Sequence, residues 1–297
     1  MLTGISCPED TAYRDGLPRV RIAILDPVLG TLVDMMRGRR TAVLSGAGMS
    51  TESGIPDYRG PTGVLRARKP MTWQEFVGSA AARQRYWARS AAGWERVRDA
   101  RPNAGHAALA RLEERGIVAG LITQNVDGLH AAAGSRRVVE LHGSLAEVVC
   151  LRCGAVESRR GLQERIRAAN PSWTARAVAA APDGDAALFD ADVAGFVVPA
   201  CTRCGGELKP NVVFFGENVP APRVASAMAL VDEAELLLVV GSSLAVFSGF
   251  RFVQRAAGAG TPIAIVNEGT TRGDALAAVR IDGKLGSILP ELADALT

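Results

Sequence analysis

Two stretches of the chain combine residue types that can handle a phosphorylated ligand. They are Gly46-Ala-Gly-Met-Ser-Thr-Glu-Ser-Gly-Ile-Pro-Asp-Tyr-Arg59 and Thr123-Gln-Asn-Val-Asp-Gly-Leu-His130. Gly46 and Gly48 let backbone N–H groups come close to a pyrophosphate. Asn125 and Asp127 are a polar pair with nothing structural to do in a buried strand. Four cysteines form two Cys-x-x-Cys hooks, Cys150/Cys153 and Cys201/Cys204. Four thiolates are the natural ligand set for tetrahedral Zn²⁺, and they leave no open position on the ion for catalysis. The 47 residues between the hooks (154 to 200) exceed the spacing of about 15–20 usual for a zinc ribbon, so an insertion must loop out. A redox role for the thiols is the alternative.

There are three histidines. His142 follows a strand-like run and precedes glycine, where it can act as a base near neutral pH or serve only in packing. His106 opens a helix and reads as a capping or packing residue. His130 follows the Asn125/Asp127 loop and reads as structural.

These residues need elements to position them. Apolar runs of strand length recur at 41–44, 118–122, 138–141, 236–240 and 262–266. Helical patterns lie between or beside them at 27–36, 103–115, 224–234 and 249–257. Alternation of strands and helices predicts a parallel α/β sheet, and the lack of period-2 alternation predicts strands covered on both faces. In such sheets ligands bind beyond the carboxyl ends of the strands, which is where both opening stretches fall. Residues 60–101, helical from 81 to 97, and residues 147–207, helical from 160 to 169, interrupt this rhythm and predict a small lobe over the ligand edge. The expected division is 20–59, 102–146 and 208–297 in the larger part, 60–101 and 147–207 in the smaller, and 1–19 as a polar tail. Ala175 to Asp185 is the one stretch that reads as a flexible loop.

Composition narrows the class. The apolar fraction is 48%, the charged fraction 22% and the net charge +3, an ordinary globular balance with no nucleic-acid footprint. No run reaches the ~18 apolar residues of a membrane span, and residues 1–20 lack a signal-peptide core. A cytoplasmic location is expected, with Cys7 unpaired and the other four cysteines holding metal. A nicotinamide dehydrogenase would want a third glycine near position 51, where threonine stands, an immediate helix, which Gly54-Ile-Pro56 stops, and an acid ~20 residues on, where Arg66 to Lys69 has none. A zinc-ribbon binding module would want a basic face and no use for Asn125, Asp127 and His142.

The full set of motifs resembles the sirtuins, the NAD-dependent protein-lysine deacylases. Gly46-Ala47-Gly48, Gly54 to Arg59, Thr123 to Asp127, His142-Gly143, the two cysteine hooks and Gly241-Ser242-Ser243 stand in that family's order over about 200 residues. Tyr58 replaces the usual phenylalanine. The resemblance implies a Rossmann-like sheet with helices on both faces, a small zinc-binding lobe, and NAD as co-substrate. It implies cofactor contacts from Gly46, Ala47, Gly48, Ser50, Ile55, Asp57, Tyr58 and Arg59. Further contacts come from Gln124, Asn125 and Asp127, from Gly241, Ser242 and Ser243, and from Asn267, Glu268, Gly269 and Leu285. His142 becomes the catalytic base, assisted by Asn125 and Asp127.

Acyl-lysine peptides or proteins would be the partners, held as an added strand by Val213, Phe214, Phe215, Gly216 and Val246. Phe214 and Phe215 could equally be core aromatics. Products would be nicotinamide, free lysine and O-acyl-ADP-ribose; protein mono-ADP-ribosyl transfer or lipoamide cleavage at the same site is the alternative. Arg83 to Arg89, Ala133 to Arg137, Leu162 to Arg165 and Ala181 to Asp185 resemble the class II branch. Tyr86 and Arg89, three apart on a helix, resemble the pair that class III members use to hold a carboxylate-bearing acyl group. They also fit a solvated helix face. Glutaryl-type acyl groups are the first expectation there, and lipoyl-like chains the second.

Overall fold

A computed structural model describes residues 26–59, 70–174 and 193–297. The expected N-terminal tail, Cys7 and the loop at 175–185 lie outside these residues. The first helix, α1 (Pro27–Met36), starts where Asp26 accepts hydrogen bonds from the N–H groups of Val28 (2.8 Å) and Leu29 (3.3 Å), with Pro27 in its first turn. Six parallel strands follow in the order β3-β2-β1-β7-β8-β9. They are β1 (Thr41–Ser45), β2 (Val118–Thr123), β3 (Val138–Glu140), β7 (Leu236–Val240), β8 (Ile263–Val266) and β9 (Val279–Ile281). Every residue of β1, β7 and β8 is buried. Alternate residues of β7 serve opposite cores. Leu236, Leu238 and Val240 meet α1, α4 (Ala104–Glu114) and α9 (Leu285–Leu296). Leu237 and Val239 meet α7 (Ala221–Asp232) and α8 (Phe247–Gly258). Each such side chain contributes about 1.5–3 kcal/mol by leaving water.

A second sheet is antiparallel, in the order β5-β4-β6: β4 (Gly143–Cys150), β5 (Val156–Ser158) and β6 (Leu208–Val212). It takes in residues 143–146 and 208–212, which the sequence reading gave to the larger part, because β4 and β6 pair with each other. That pairing sets Cys150 opposite Leu208, so the start of one cysteine hook meets the chain just after the other. Its core includes aromatics of α2 (Trp73–Gly78) and α3 (Ala80–Asp99) and apolar residues of α6 (Arg159–Ala169). Arg159 is buried there. Its guanidinium lies 5.4 Å from the ring of Trp87 and 4.8 Å from that of Trp94, and it donates to the carbonyl of Ser90. No helix among the described residues is long and apolar enough to cross a membrane.

Candidate active site

The chain reverses direction across the large sheet between β1 and β7, which makes the crevice beyond their carboxyl ends the expected ligand position. The turns after these two strands interlock. The N–H of Gly46 donates to the carbonyl of Val240 (3.1 Å), and that of Gly48 to the carbonyl of Gly241 (2.9 Å). A Cβ on Gly46 would lie 2.7 Å from Cβ of Ser242, and Gly241 has φ +59°. Only glycine fits these corners, and their backbones are bare toward the crevice. A 3-10 turn (Ala47–Ser53) follows and ends at Gly54 (φ +83°).

The polar pair after β2 is locked to that turn. Nδ2 of Asn125 donates to the carbonyl of Gly46 (3.0 Å) and to Oγ of Ser50 (3.1 Å); Ser50 Oγ donates to Asp127 (2.7 Å). Asp127 also accepts from the N–H of Leu129 (2.9 Å). Burial raises its pKa above the ordinary carboxylate value, against the pull of these donors. Asp57 is buried at the same wall.

His142 follows Leu141 at the edge of β3. Its Nδ1 lies 2.9 Å from the carbonyl oxygen of Gln124, and its Nε2 lies 2.9 Å from Oγ of Ser248. A carbonyl only accepts, so Nδ1 carries the proton and Nε2 keeps its lone pair. Burial lowers the pKa of the ring below the usual histidine value, so the neutral, proton-accepting form predominates at pH 7.

One cleft of about 1590 Å³ joins these groups. It is larger than the 300–1,000 Å³ usual for small ligands, as a dinucleotide plus a side chain would require. Lining it are Gly46, Ala47, Gly48, Ser50, Ile55, Asp57, Tyr58 and Arg59 from the first turn, Gln124, Asn125 and Asp127 from the second, and His142. Gly241 to Ser243, Asn267 to Gly269 and Leu285 line its far end, and Val213 to Gly216 with Val246 line its near wall. Phe214 is both wall and core: it borders the cleft, is 8% exposed, and packs on Phe76 and Tyr86. Tyr58 meets Phe215 edge to face at 5.9 Å.

Tyr86 and Arg89 are not brought into this lining. Tyr86 is buried in the small core against Phe76, Trp87 and Phe214, one ring behind the cleft wall, and Nε of Arg89 is buried without a partner among the described residues. Sequence reasoning missed Thr271, Arg272 and Lys284, and gave the hydroxyl of Ser248 no role; all four residues also line the cleft. The sequence held a signal for one of them, since Lys284 is one of only three lysines.

The other two histidines are packed together. The N–H of Asn103 donates to Nδ1 of His106 in a capping box at the start of α4. His106 and His130 have ring centroids 4.8 Å apart. Burial depresses their pKa values to about 4 and about 3.

The four cysteine sulfurs lie within 4.8 Å of one another, with Cys150 and Cys204 at 3.5 Å and Cys153 and Cys201 at 3.9 Å. Sulfurs held tetrahedrally at ~2.3 Å from an ion would be about 3.8 Å apart, so the tetrad is positioned to bind one zinc. Each hook closes through a left-handed glycine, Gly154 or Gly205, whose N–H bonds back to the first cysteine of its hook. A Cβ on Gly206 would lie 2.9 Å from the sulfur of Cys150.

This fold and site define an NAD-binding α/β protein with a zinc lobe. The Sir2 family pattern matches residues 46–248, and the chain belongs to that family. It is 55% identical over 271 residues to a Mycobacterium avium protein named NAD-dependent protein deacetylase 1, covering 90% of this chain and 95% of the relative. A Streptomyces coelicolor protein of the same name is 54% identical, covering 90% of each. A solved Sir2 protein in complex with a p53 peptide and NAD⁺ superposes with TM-score 0.70 at 28% identity, over 90% of this chain and 97% of that one. A Sir2 protein bound to acetylated peptide gives TM-score 0.72 at 28% identity, over 91% and 99%.

Proposed function

We propose that this chain is an NAD-dependent protein-lysine deacylase that removes acetyl groups and prefers larger, acidic acyl groups. The observation that carries the reading is His142. It lines a cleft bounded at one end by the interlocked glycine corners and at the other by the walls at 213–216 and 244–248, and its Nε2 lone pair meets the Ser248 hydroxyl on that lining. The names of the relatives support deacetylation.

When bound, NAD would supply an electrophilic ribose carbon and nicotinamide as leaving group. The corners at Gly46–Gly48 and Gly241–Ser243 would cradle its phosphates, with Arg59 at the rim, while Asn267, Glu268 and Leu285 would hold the adenosine end. Asn125, Ser50 and Asp127 would orient the nicotinamide side. Phe214, Phe215, Tyr58 and Val246 would exclude water from the acyl chain, and the walls would take the substrate backbone as an added strand. His142 would accept a hydroxyl proton at Nε2, and the Gln124 carbonyl would stabilise the charge left on the ring. One zinc on Cys150, Cys153, Cys201 and Cys204 would serve folding of the small sheet.

For the acyl preference, the support is Arg89, whose Nε is buried without a partner among the described residues, three positions along α3 from Tyr86, which packs on Phe214 of the cleft wall. Comparing kcat/KM for acetyl- and glutaryl-lysine forms of one peptide tests it. Glutaryl should be favoured in wild type and lose that advantage in Arg89→Met; an unchanged ratio would refute the acidic preference and leave the pocket apolar.

A further inference from the structure

The base proposed above is not bare in this fold, because Ser248 Oγ sits 2.9 Å from the one nitrogen of His142 that can accept a proton. With Nδ1 committed to the Gln124 carbonyl, the hydroxyl of Ser248 must be the donor to Nε2. The Gln124 carbonyl that fixes this tautomer is itself immobilised. The N–H of Gln124 donates to the carbonyl of Ser45 (3.0 Å), and its side-chain amide donates to Ser242 Oγ (2.8 Å). Gly249, next to Ser248, packs against that amide so closely that a Cβ would lie 2.4 Å from its oxygen. Ser248 stands in the first turn of α8, a 12-residue helix rooted in the core by Phe252 and Val253, so its hydroxyl is held on a rigid element. It is half-buried and lines the cleft, which leaves its oxygen lone pairs available to a group bound there.

We propose that Ser248 is a proton-relaying partner of the base: a ligand hydroxyl in the cleft gives its proton to Ser248 Oγ while Ser248 gives its own to Nε2 of His142. One O–H bond breaks on the ligand and one forms on the serine; one O–H breaks on the serine and one N–H forms on the ring. The serine ends as it began, the imidazole becomes imidazolium against the Gln124 carbonyl, and the ligand oxygen becomes the nucleophile. This inference rests on the deacylase reading, but the contact it needs is present in the free protein.

The test therefore begins without ligand. The chain has three histidines, so the imidazole nitrogens of ¹⁵N-labelled protein are assigned by substituting each in turn. In wild type, Nδ1 of His142 should resonate as a protonated nitrogen and Nε2 as a hydrogen-bonded acceptor. In Ser248→Ala, Nε2 should shift to the position of an unbonded acceptor while Nδ1 holds, and Ser248→Thr should restore it. Turnover of an acetyl-lysine peptide at saturating NAD should fall about tenfold in Ser248→Ala and recover in Ser248→Thr. An Nε2 resonance that ignores Ser248→Ala, or an unchanged turnover number, overturns the relay. A wild-type protein that releases no nicotinamide with the peptide overturns the deacylase reading instead, and the resonance shift tells the two failures apart.

Discussion

His142 and His130 are chemically near twins in different settings. His130 lies in α5 (Leu129–Ala132), a short helix after β2, and His142 in the turn after β3; each presents Nε2 to a serine oxygen at 2.8–2.9 Å, and each has its pKa lowered by burial. Their protons are arranged oppositely. Ser45 Oγ donates to Thr123 Oγ1 (2.9 Å), so Nε2 of His130 is the donor to Ser45. That side chain is 2% exposed and seals the space between β1, β2 and α4, while Thr123 in turn accepts from the N–H of Asn125. His142 has its proton pinned at Nδ1, and its lone pair meets the hydroxyl of Ser248 on the cleft lining. A serine–histidine contact and a shifted pKa thus do not mark a functional histidine; tautomer and access to ligand do.

The comparison breaks most sharply on substitution. His142→Tyr should lower turnover by about 10²- to 10⁴-fold while the melting temperature moves little, as steady-state kinetics beside calorimetry would register. His130→Leu should do the reverse, costing about 1–3 kcal/mol in urea unfolding because Ser45 loses a buried partner. Equal activity loss from both would erase the distinction.

Metal removal separates the two regions in another way. Gly143 begins β4, and the carbonyl of His142 accepts from the N–H of Val213 just past β6, so the small sheet holds His142 in place. Wild type should carry one zinc per chain by metal analysis. Cys201→Ser or a strong chelator should broaden the His142 resonances while those of His106 and His130 persist. Broadening of all three together would mean that the two sheets unfold as one.

A smaller effect is the pH dependence of stability. In the unfolded chain, histidines bind protons near pH 6.5; in the folded chain, His106 does so only near about 4 and His130 near about 3. The unfolded state therefore holds more protons in this window. Stability is fully present above pH 6.5 and is lost progressively as the pH falls toward 4 and 3. Urea midpoints at pH 7 and 5 should differ in this direction, and less so in His130→Leu.

Much of the site was legible because its parts are local. Glycine corners, the Asn125/Asp127 pair and the cysteine hooks are each written within a few consecutive residues, and the apolar runs place them at strand ends. What was not legible depends on contacts between distant segments. The pairing of β4 with β6 draws 143–146 and 208–212 into the small sheet, and nothing near either segment announces the other. Helix α9 carries Leu285, Leu289 and Leu292 at helical spacing, but Pro290 inside it argues for a break. Tyr86 and Arg89 have the spacing of a shared helix face, yet Tyr86 turns into the aromatic core because Phe76, Trp87 and Phe214 converge on it. Ser248 lies two residues past Val246, which sequence reasoning assigns to the substrate wall, and only the geometry reveals its hydroxyl on the base.

A mass spectrum of the products formed from NAD and an acetyl-lysine peptide reads the reaction itself. Wild type should give deacetylated peptide and O-acetyl-ADP-ribose in equal amounts, and His142→Tyr neither. ADP-ribose attached to protein, with the peptide still acetylated, would contradict the deacylase reading.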